Sequence, residues 1–369
     1  MARKTKNNID FVLLGIVGGL ILWGLFAVCL ISLPLSQQRF GTPWHYLQNQ
    51  LMRIALGLVG GIIFFKLSPK TIKKFSLFLF ISCLFLTLLV FAPKIGVSIA
   101  GGRRWVSLAG FLLQPAEFLK LGFIIYLAAW LGKSKQIIPK NKIKEILLPF
   151  VVLAVVVFAL LAAQPDMSTL VILIVVCLTM YFASYTPVWH TAAMLGAGIA
   201  AITCIALTRT YSLKRWLIFL NPTADPLGHG FQLRQSLIAI GSGKISGIGD
   251  GFGLGLGASG ELLPTPFTDS IFAIIGKGWG FLGCFILIAL LILFLWRCLK
   301  LAKNLGFGFE GLIVLGIGIW MSFQAFFNIG GMLGILPMGG VPLPFISYGG
   351  SHIIAEITAA GLALNISRK

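Results

Sequence analysis

Acidic residues are scarce in this sequence. Only 10 Asp and Glu stand among 369 residues, and charged residues of both signs make up 11%. A soluble domain needs about a quarter of its residues charged to cover its surface, so a soluble fold is excluded. Histidine is also sparse: His45, His190, His229 and His352 are scattered, and no H-E-x-x-H pattern is present. The cysteines Cys29, Cys83, Cys177, Cys204, Cys284 and Cys298 all lie in or beside apolar segments without C-x-x-C spacing. They read as packing residues, and neither a zinc site nor a disulfide framework follows. There is no Walker motif and no defensible Ser/His/Asp arrangement. Glycines between Gly243 and Gly257 imitate a dinucleotide fingerprint, but no βαβ unit surrounds them. A loop that lets backbone approach a ligand closely is the better account of that run.

What the sequence does have is hydrocarbon. Hydrophobic residues make up 58% of it, in apolar runs of about 20 residues that recur along the whole length, as in a polytopic membrane protein. The expected fold is all-α, with about ten transmembrane helices in a single domain over 1–369. The spans are predicted at 11–32, 51–67, 75–92, 115–131, 146–163, 169–183, 191–207, 269–296, 311–332 and 348–366. One long segment, 208–268, lies between the seventh and eighth and does not span.

The formal net charge is +19. In a membrane protein this reflects the positive-inside rule and contact with anionic membrane lipids; without a basic stripe interleaved with aromatics, nucleic acid is not expected as a partner. Basic residues after the second, fourth and eighth spans, and Arg368-Lys369, fall on the same side as Arg3, Lys4 and Lys6. Both termini are therefore expected in the cytoplasm, with the first span a retained helix rather than a cleaved signal peptide. The long loop, Asp166, the stretch Gly102-Arg103-Arg104-Trp105 and the proline loop before the last span then share the outer face.

Several residues on or near that face could carry chemistry. Asp269, where the long loop meets the eighth span, could accept a proton or hold a divalent cation. Equally, Thr268 or Asp269 could simply cap the helix that follows. Glu117 and Lys120 share a face of the fourth span, and charges at membrane depth mark either a substrate site or a buried structural pair. Arg103 and Arg104 beside Trp105 suit a phosphate or diphosphate group, or an interfacial anchor. Lys214 and Arg215 mix cations with aromatics in the same way.

Ordered motifs across nearly the whole chain resemble the SEDS family of shape, elongation, division and sporulation proteins. They are Gly102-Arg103-Arg104-Trp105, Gln114-Pro115-Ala116-Glu117-Phe118-Leu119-Lys120, Gln164-Pro165-Asp166, Leu213-Lys214-Arg215 and Asn221-Pro222. Further along come Gly228-His229-Gly230-Phe231-Gln232, Gln235-Ser236-Leu237, Thr268-Asp269-Ser270-Ile271-Phe272 and Gly340-Val341-Pro342-Leu343-Pro344-Phe345-Ile346-Ser347-Tyr348. Phe345 and Gly24-Leu25 lean toward the division (FtsW) branch over the elongation (RodA) branch.

The resemblance implies a peptidoglycan glycosyltransferase of the cytoplasmic membrane, polymerising lipid II at the outer face, in septal wall synthesis on the division branch. The implied partners are a class B penicillin-binding protein and other division proteins, with Mg2+ or Mn2+ as the possible cofactor. The family's essential acid falls on Asp269. Arg103, Arg104, Trp105, Glu117, Lys120, Lys214, Arg215, Gln235 and Ser347 are the matching substrate-site candidates. The sequence departs from the family pattern at Phe267, Ser270 and Lys277-Gly278, where the loss of local acids weakens a metal site and Lys277 becomes a candidate partner for Asp269. Two other readings compete: a flippase for lipid II, resting on Glu117 and Lys120, and a scaffold that activates the penicillin-binding protein, resting on the altered surroundings of Asp269.

Overall fold

A computed structural model describes residues 9–99, 102–108, 110–132, 143–184, 210–221, 229–248 and 267–368, with scattered positions between 189 and 203. The expected seventh span, the lysines at 133–142 and the glycine run from 249 onward lie outside the described residues.

In hydrocarbon every backbone group must find a partner inside the protein, so apolar runs fold as helices. The elements in order are α1 (Phe11–Phe40), α2 (His45–Lys66), α3 (Pro69–Lys74) and α4 (Ser76–Leu88). Three short strands follow: β1 (Gly96–Ile99), β2 (Gly102–Leu108) and β3 (Phe111–Leu113). Then come α5 (Pro115–Leu131), α6 (Ile143–Ala163), α7 (Met167–Ala183), α8 (Thr210–Leu220), α9 (His229–Ser242), α10 (Ile271–Leu305), α11 (Phe309–Met332) and α12 (Ser351–Ser367). Among the described residues, four helices are long and apolar enough to cross a membrane: 11–33 of α1, α2, α10 and α11; α4, α6 and α7 are shorter apolar helices. The chain is a mostly helical, multi-pass membrane protein.

Two expectations need correction. The all-α assignment fails at 96–113, where the strands form an antiparallel sheet in the order β1-β2-β3. Gly110, at φ +85, turns β2 into β3, a conformation that glycine adopts without a Cβ penalty. The eighth span starts at Ile271, runs to Leu305 and is broken at Gly280, where φ is 64 and ψ −159. Phe281 N–H and Leu282 N–H, freed by the break, donate to Lys244 O at 2.9 Å and Ile245 O at 3.1 Å. The turn after α9 thus enters at helix depth and satisfies the backbone there, as irregular structure within a membrane must. The described part of the glycine run packs against α10.

Packing around the site relies on small residues. α2 lies along α12 with Gly57 against Ile357 and Gly61 against Gly361. Asn365 closes one end of this pair, donating to Phe64 O at 2.8 Å and Leu67 O at 2.6 Å, carbonyls left over where α2 ends. A Cβ at Gly361 would stand 2.6 Å from Gly61 Cα. Gly361→Val should therefore lower stability by about 1–3 kcal/mol, read as the shift in thermal unfolding in detergent. Near the same end, Asp10 caps α1 and accepts from Arg297 Nε at 2.7 Å, joining α1 to α10.

Candidate active site

The turn 267–270 that carries Asp269 is held from three directions. Asn328 Nδ2 on α11 donates to Asp269 O at 2.8 Å and to Val341 O at 2.7 Å. Ser347 Oγ donates to Thr268 O at 2.6 Å and accepts from Leu343 N–H at 2.8 Å. Tyr348 N–H donates to Phe267 O at 2.8 Å. Phe267 itself is buried, packed against the rings of Tyr46 and Tyr348 at 5.0 and 6.3 Å. Phe267, a departure from the family pattern, thus serves as an aromatic prop behind the turn.

Ser270, not Asp269, stands at the N-cap of α10, and its side chain makes no capping bond. Gln232 Nε2 donates to it at 3.1 Å. Asp269 lies one residue before that cap and is half-buried. Loss of water around the carboxylate raises its pKa from the usual 3.8 to about 6, against the opposing pull of Arg215 and Arg104. Lys277, expected to be its cationic partner, is not among the charges that act on it; Arg215 and Arg104 take that role.

Arg104 reaches this place by a local device. The β1–β2 pairing matches Val97 with Trp105 and Ser98 with Arg103, so the register steps over Arg104 in a β-bulge. Bulges re-aim a side chain beside functional sites. Here the guanidinium donates to Gln164 O at 3.4 Å and to Pro165 O, at the turn before α7. Gly102 makes room: a Cβ there would lie 2.8 Å from Arg104 Nε. Arg103 is exposed and Trp105 half-buried, so the adjacent arginines do not act as one fork.

Arg215 comes from α8, where its Nη1 donates to Gly339 O at 3.2 Å, a carbonyl that also accepts from Ser168 Oγ at 2.5 Å. A Cβ at Gly340 would be 3.5 Å from Asp269 Oδ2 and 3.6 Å from Arg215 Nη2. Gly340 has φ +62, so both its backbone and its missing side chain fit the junction of acid and cation. The side chain of Lys214 is outside the described residues. Gln235 is half-buried on α9, and Ser347 is fully buried behind the turn. Asp166 caps α7, accepting from Thr169 N–H at 3.4 Å.

Glu117 and Lys120 lie deeper. Lys120 Nζ is 2.9 and 2.8 Å from the two Glu117 carboxylate oxygens and 2.7 Å from Gln324 Oε1. Gln324 Nε2 donates to Pro342 O at 3.0 Å and Glu356 Oε1 at 3.2 Å. Glu356 Oε2 accepts from Phe345 N–H at 2.8 Å, and Phe345 holds φ +63. A non-glycine residue at such φ costs roughly 1–2 kcal/mol, and the Glu356 bond helps to hold it. Glu117, Lys120, Gln324 and Glu356 are all buried to within 2%. The network ties α5, α11 and α12 to the loop that braces Asp269. Reasoning from sequence missed Gln324, Asn328 and Glu356, although a polar side chain inside an apolar span is a signal in itself.

Among the described residues, no cluster of three or more His, Cys, Asp and Glu side chains could hold a metal ion. One carboxylate under the charges of two arginines is too few oxygen ligands for a protein-built cage around a divalent ion.

The family model of the FtsW/RodA/SpoVE cell cycle proteins matches residues 11–369. The chain belongs to that family. Among its relatives, the "Probable peptidoglycan glycosyltransferase FtsW" of Haemophilus influenzae is 36% identical over 353 residues, covering 95% of this chain and 88% of the relative. The stage V sporulation protein E of Bacillus subtilis is 31% identical over 369 residues, covering 99% and 98%. A chain from a solved peptidoglycan synthase complex, described as coordinating polymerization and crosslinking, superposes with a TM-score of 0.78 at 28% identity and 98% coverage of both chains. The SEDS resemblance read from the motifs is thereby borne out, and the family members share one helical membrane fold.

Proposed function

We propose that this FtsW/RodA/SpoVE-family protein is a peptidoglycan glycosyltransferase of the division type, polymerising lipid II at the outer face of the cytoplasmic membrane. What supports this reading is Asp269 before α10, with Arg215 close to it across Gly340 and Arg104 near enough for its charge to act on the carboxylate. The reaction joins an acceptor sugar hydroxyl to an anomeric carbon, and undecaprenyl diphosphate leaves. It needs a base at the hydroxyl and positive charge at the departing phosphates.

Asp269 takes the hydroxyl proton. With a pKa near 6, it is ionised at neutral pH and yet more basic than an ordinary aspartate, which suits a general base. Arg215 and Arg104 face the diphosphate. A Mg2+ bound with the substrate would be held by its phosphate oxygens and Asp269 and would neutralise leaving-group charge. Arg103, Trp105, Lys214 and Gln235 are kept as outer contacts for headgroup and sugar. Ser347, Glu117 and Lys120 hold the framework instead.

Ten spans with cytoplasmic termini and the 208–268 segment outside complete the arrangement, with a class B penicillin-binding protein as transpeptidase partner at the division site. The flippase reading loses its support because Glu117 and Lys120 are sealed inside the core. The deciding assay incubates the purified protein and its penicillin-binding partner with lipid II and resolves the products by gel. Glycan chains from wild type support the polymerase; their absence with the partner bound would favour a scaffold.

Arg215 supplies a pH test. Its charge lowers the Asp269 pKa, so Arg215→Gln should move the acidic limb of the activity profile upward from about 6. An unshifted limb would separate Arg215 from Asp269.

A further inference from the structure

Cations held inside this protein have partners. Lys120 is paired with Glu117 and Arg297 with Asp10, while Arg104 donates to Gln164 O and Arg215 to Gly339 O. Arg53 differs. It is half-buried on α2, a helix long enough to span, and lies roughly 12 Å from the His45 end. Neither ion pair found among the described residues includes it, and its Nη1 is sealed from solvent without a hydrogen-bond partner. The guanidinium rests on the Tyr348 ring at 4.5 Å, which does not replace the bonds that water gives to five N–H donors. A charge left so inside a membrane helix marks a functional site.

α2 presents Arg53 to the loop that leads into α12. One turn earlier, buried Gln50 donates to Ser347 O and accepts from Gly349 N–H, both at 3.3 Å. One turn later, Gly57 packs on Ile357. Between them, a Cβ at Gly350 would lie 3.5 Å from Arg53 Nε, so Gly349 and Gly350 leave bare backbone beside the guanidinium. The Tyr348 ring that carries Arg53 is 6.3 Å from the ring of Phe267, two residues before Asp269. Arg53 is thus joined to the turn of Asp269 through Tyr348 and Phe267, and Arg215 is joined to it across Gly340.

A guanidinium takes two oxygens of one phosphate at once, and polymerising lipid II requires two such places. When the first glycan bond forms, donor and acceptor are both lipid II, and each carries a diphosphate. The donor's anomeric carbon loses its diphosphate, which departs with the bonding electron pair. The acceptor oxygen bonds to that carbon and its proton passes to Asp269, while the acceptor keeps its own diphosphate. We infer that Arg53 holds the diphosphate of the acceptor, with Arg215 at that of the donor. The inference rests on the polymerase reading and adds a second anion site. The acceptor's disaccharide bridges the retained diphosphate and the reacting hydroxyl, so Arg53 is a positioning residue that sets where the hydroxyl meets Asp269.

The test uses Arg53→Gln in phosphatidylcholine nanodiscs with the penicillin-binding partner. The KM for lipid II should rise by about 10–100-fold. Turnover at saturation should stay within about threefold of wild type, since Arg53 touches no reacting atom. Arg53→Lys keeps the charge and should recover most of the loss. The glutamine variant should melt no lower than wild type, because it removes a charge that no side chain balances. A fall in kcat at unchanged KM would overturn the assignment and make Arg53 a prop for Tyr348.

A second arm does not depend on turnover. Undecaprenyl diphosphate, counted on the protein by native mass spectrometry, should bind twice to wild type and once to Arg53→Gln. Arg215→Gln should also keep one copy, and Arg53→Gln/Arg215→Gln should lose both. Equal counts on wild type and Arg53→Gln would overturn the assignment. Displacement of the Arg53 copy by an equal concentration of phosphatidylglycerol would overturn it too, leaving the site to an ordinary lipid headgroup. If wild type makes no glycan from lipid II, the polymerase reading fails, and the count still decides whether Arg53 binds a diphosphate.

Discussion

Asp269→Asn should stop glycan polymerisation, lowering turnover by about 10²–10⁴-fold, the range expected when a general base is lost. Asparagine keeps the shape and the backbone bond from Asn328 to residue 269 but cannot take a proton. The wild-type profile should rise about tenfold per pH unit below about 6 and level off above it, as the Asp269 carboxylate ionises. Stability should move the other way. A pKa raised from 3.8 to about 6 means that the fold prefers the protonated acid. That contribution is complete below pH 3.8 and is lost as pH rises through about 6. At pH 8 the ionised carboxylate then costs the fold up to about 3 kcal/mol, at 1.36 kcal/mol per unit. The asparagine variant should unfold at an equal or higher temperature than wild type at pH 8. Turnover within about tenfold of wild type would remove Asp269 from the base role.

The membrane fold was legible because hydrocarbon demands long apolar helices. α5 was expected at 115–131 and is found at Pro115–Leu131, and α11 and α12 begin within three residues of expectation. The break at Gly280 was not legible, because the apolar run continues through it. What breaks the helix is the turn 243–248, a contact between distant residues that no local pattern carries. The sheet at 96–113 was hidden for a related reason: its strands have only three to seven residues, too few for alternation to stand out.

At the site, residue types were legible and directions were not. Asp269, Arg104 and Arg215 were singled out from sequence, and the charges of both arginines act on the Asp269 carboxylate. Arg103 and Arg104 read as one phosphate fork because they are neighbours, yet the bulge at Arg104 turns only that side chain toward the turn before α7. Lys277 was chosen by helical spacing from Asp269, but Asp269 is outside the helix, so the spacing does not apply. Gly340 could be picked from its motif, though its role needs the coordinates. Its φ of +62 and its place between Asp269 and Arg215 are both properties of the folded chain.

Lys120→Met should be the most destabilising single change among these residues, costing about 3–5 kcal/mol. It would leave the Glu117 carboxylate buried without its countercharge. Lys120 Nζ also donates to Gln324 Oε1 at 2.7 Å and sits 4.9 Å from the Trp320 ring, so the loss loosens α11 as well as α5. Glu117→Gln should be similarly harmful, because it strands the ammonium. The double variant Glu117→Gln/Lys120→Met buries no net charge from this pair and should recover most of the lost stability, since replacing both partners of a buried pair is often nearly neutral. Activity distinguishes the two roles open to the pair. If it only braces the framework, through Gln324, Glu356 and the Phe345 loop to Ser347 and Thr268, the refolded double variant should polymerise within about tenfold of wild type. A double variant that is as stable as wild type but makes no glycan would return Glu117 and Lys120 to the substrate path. Thermal unfolding and glycan synthesis, measured on the same three preparations, separate these outcomes.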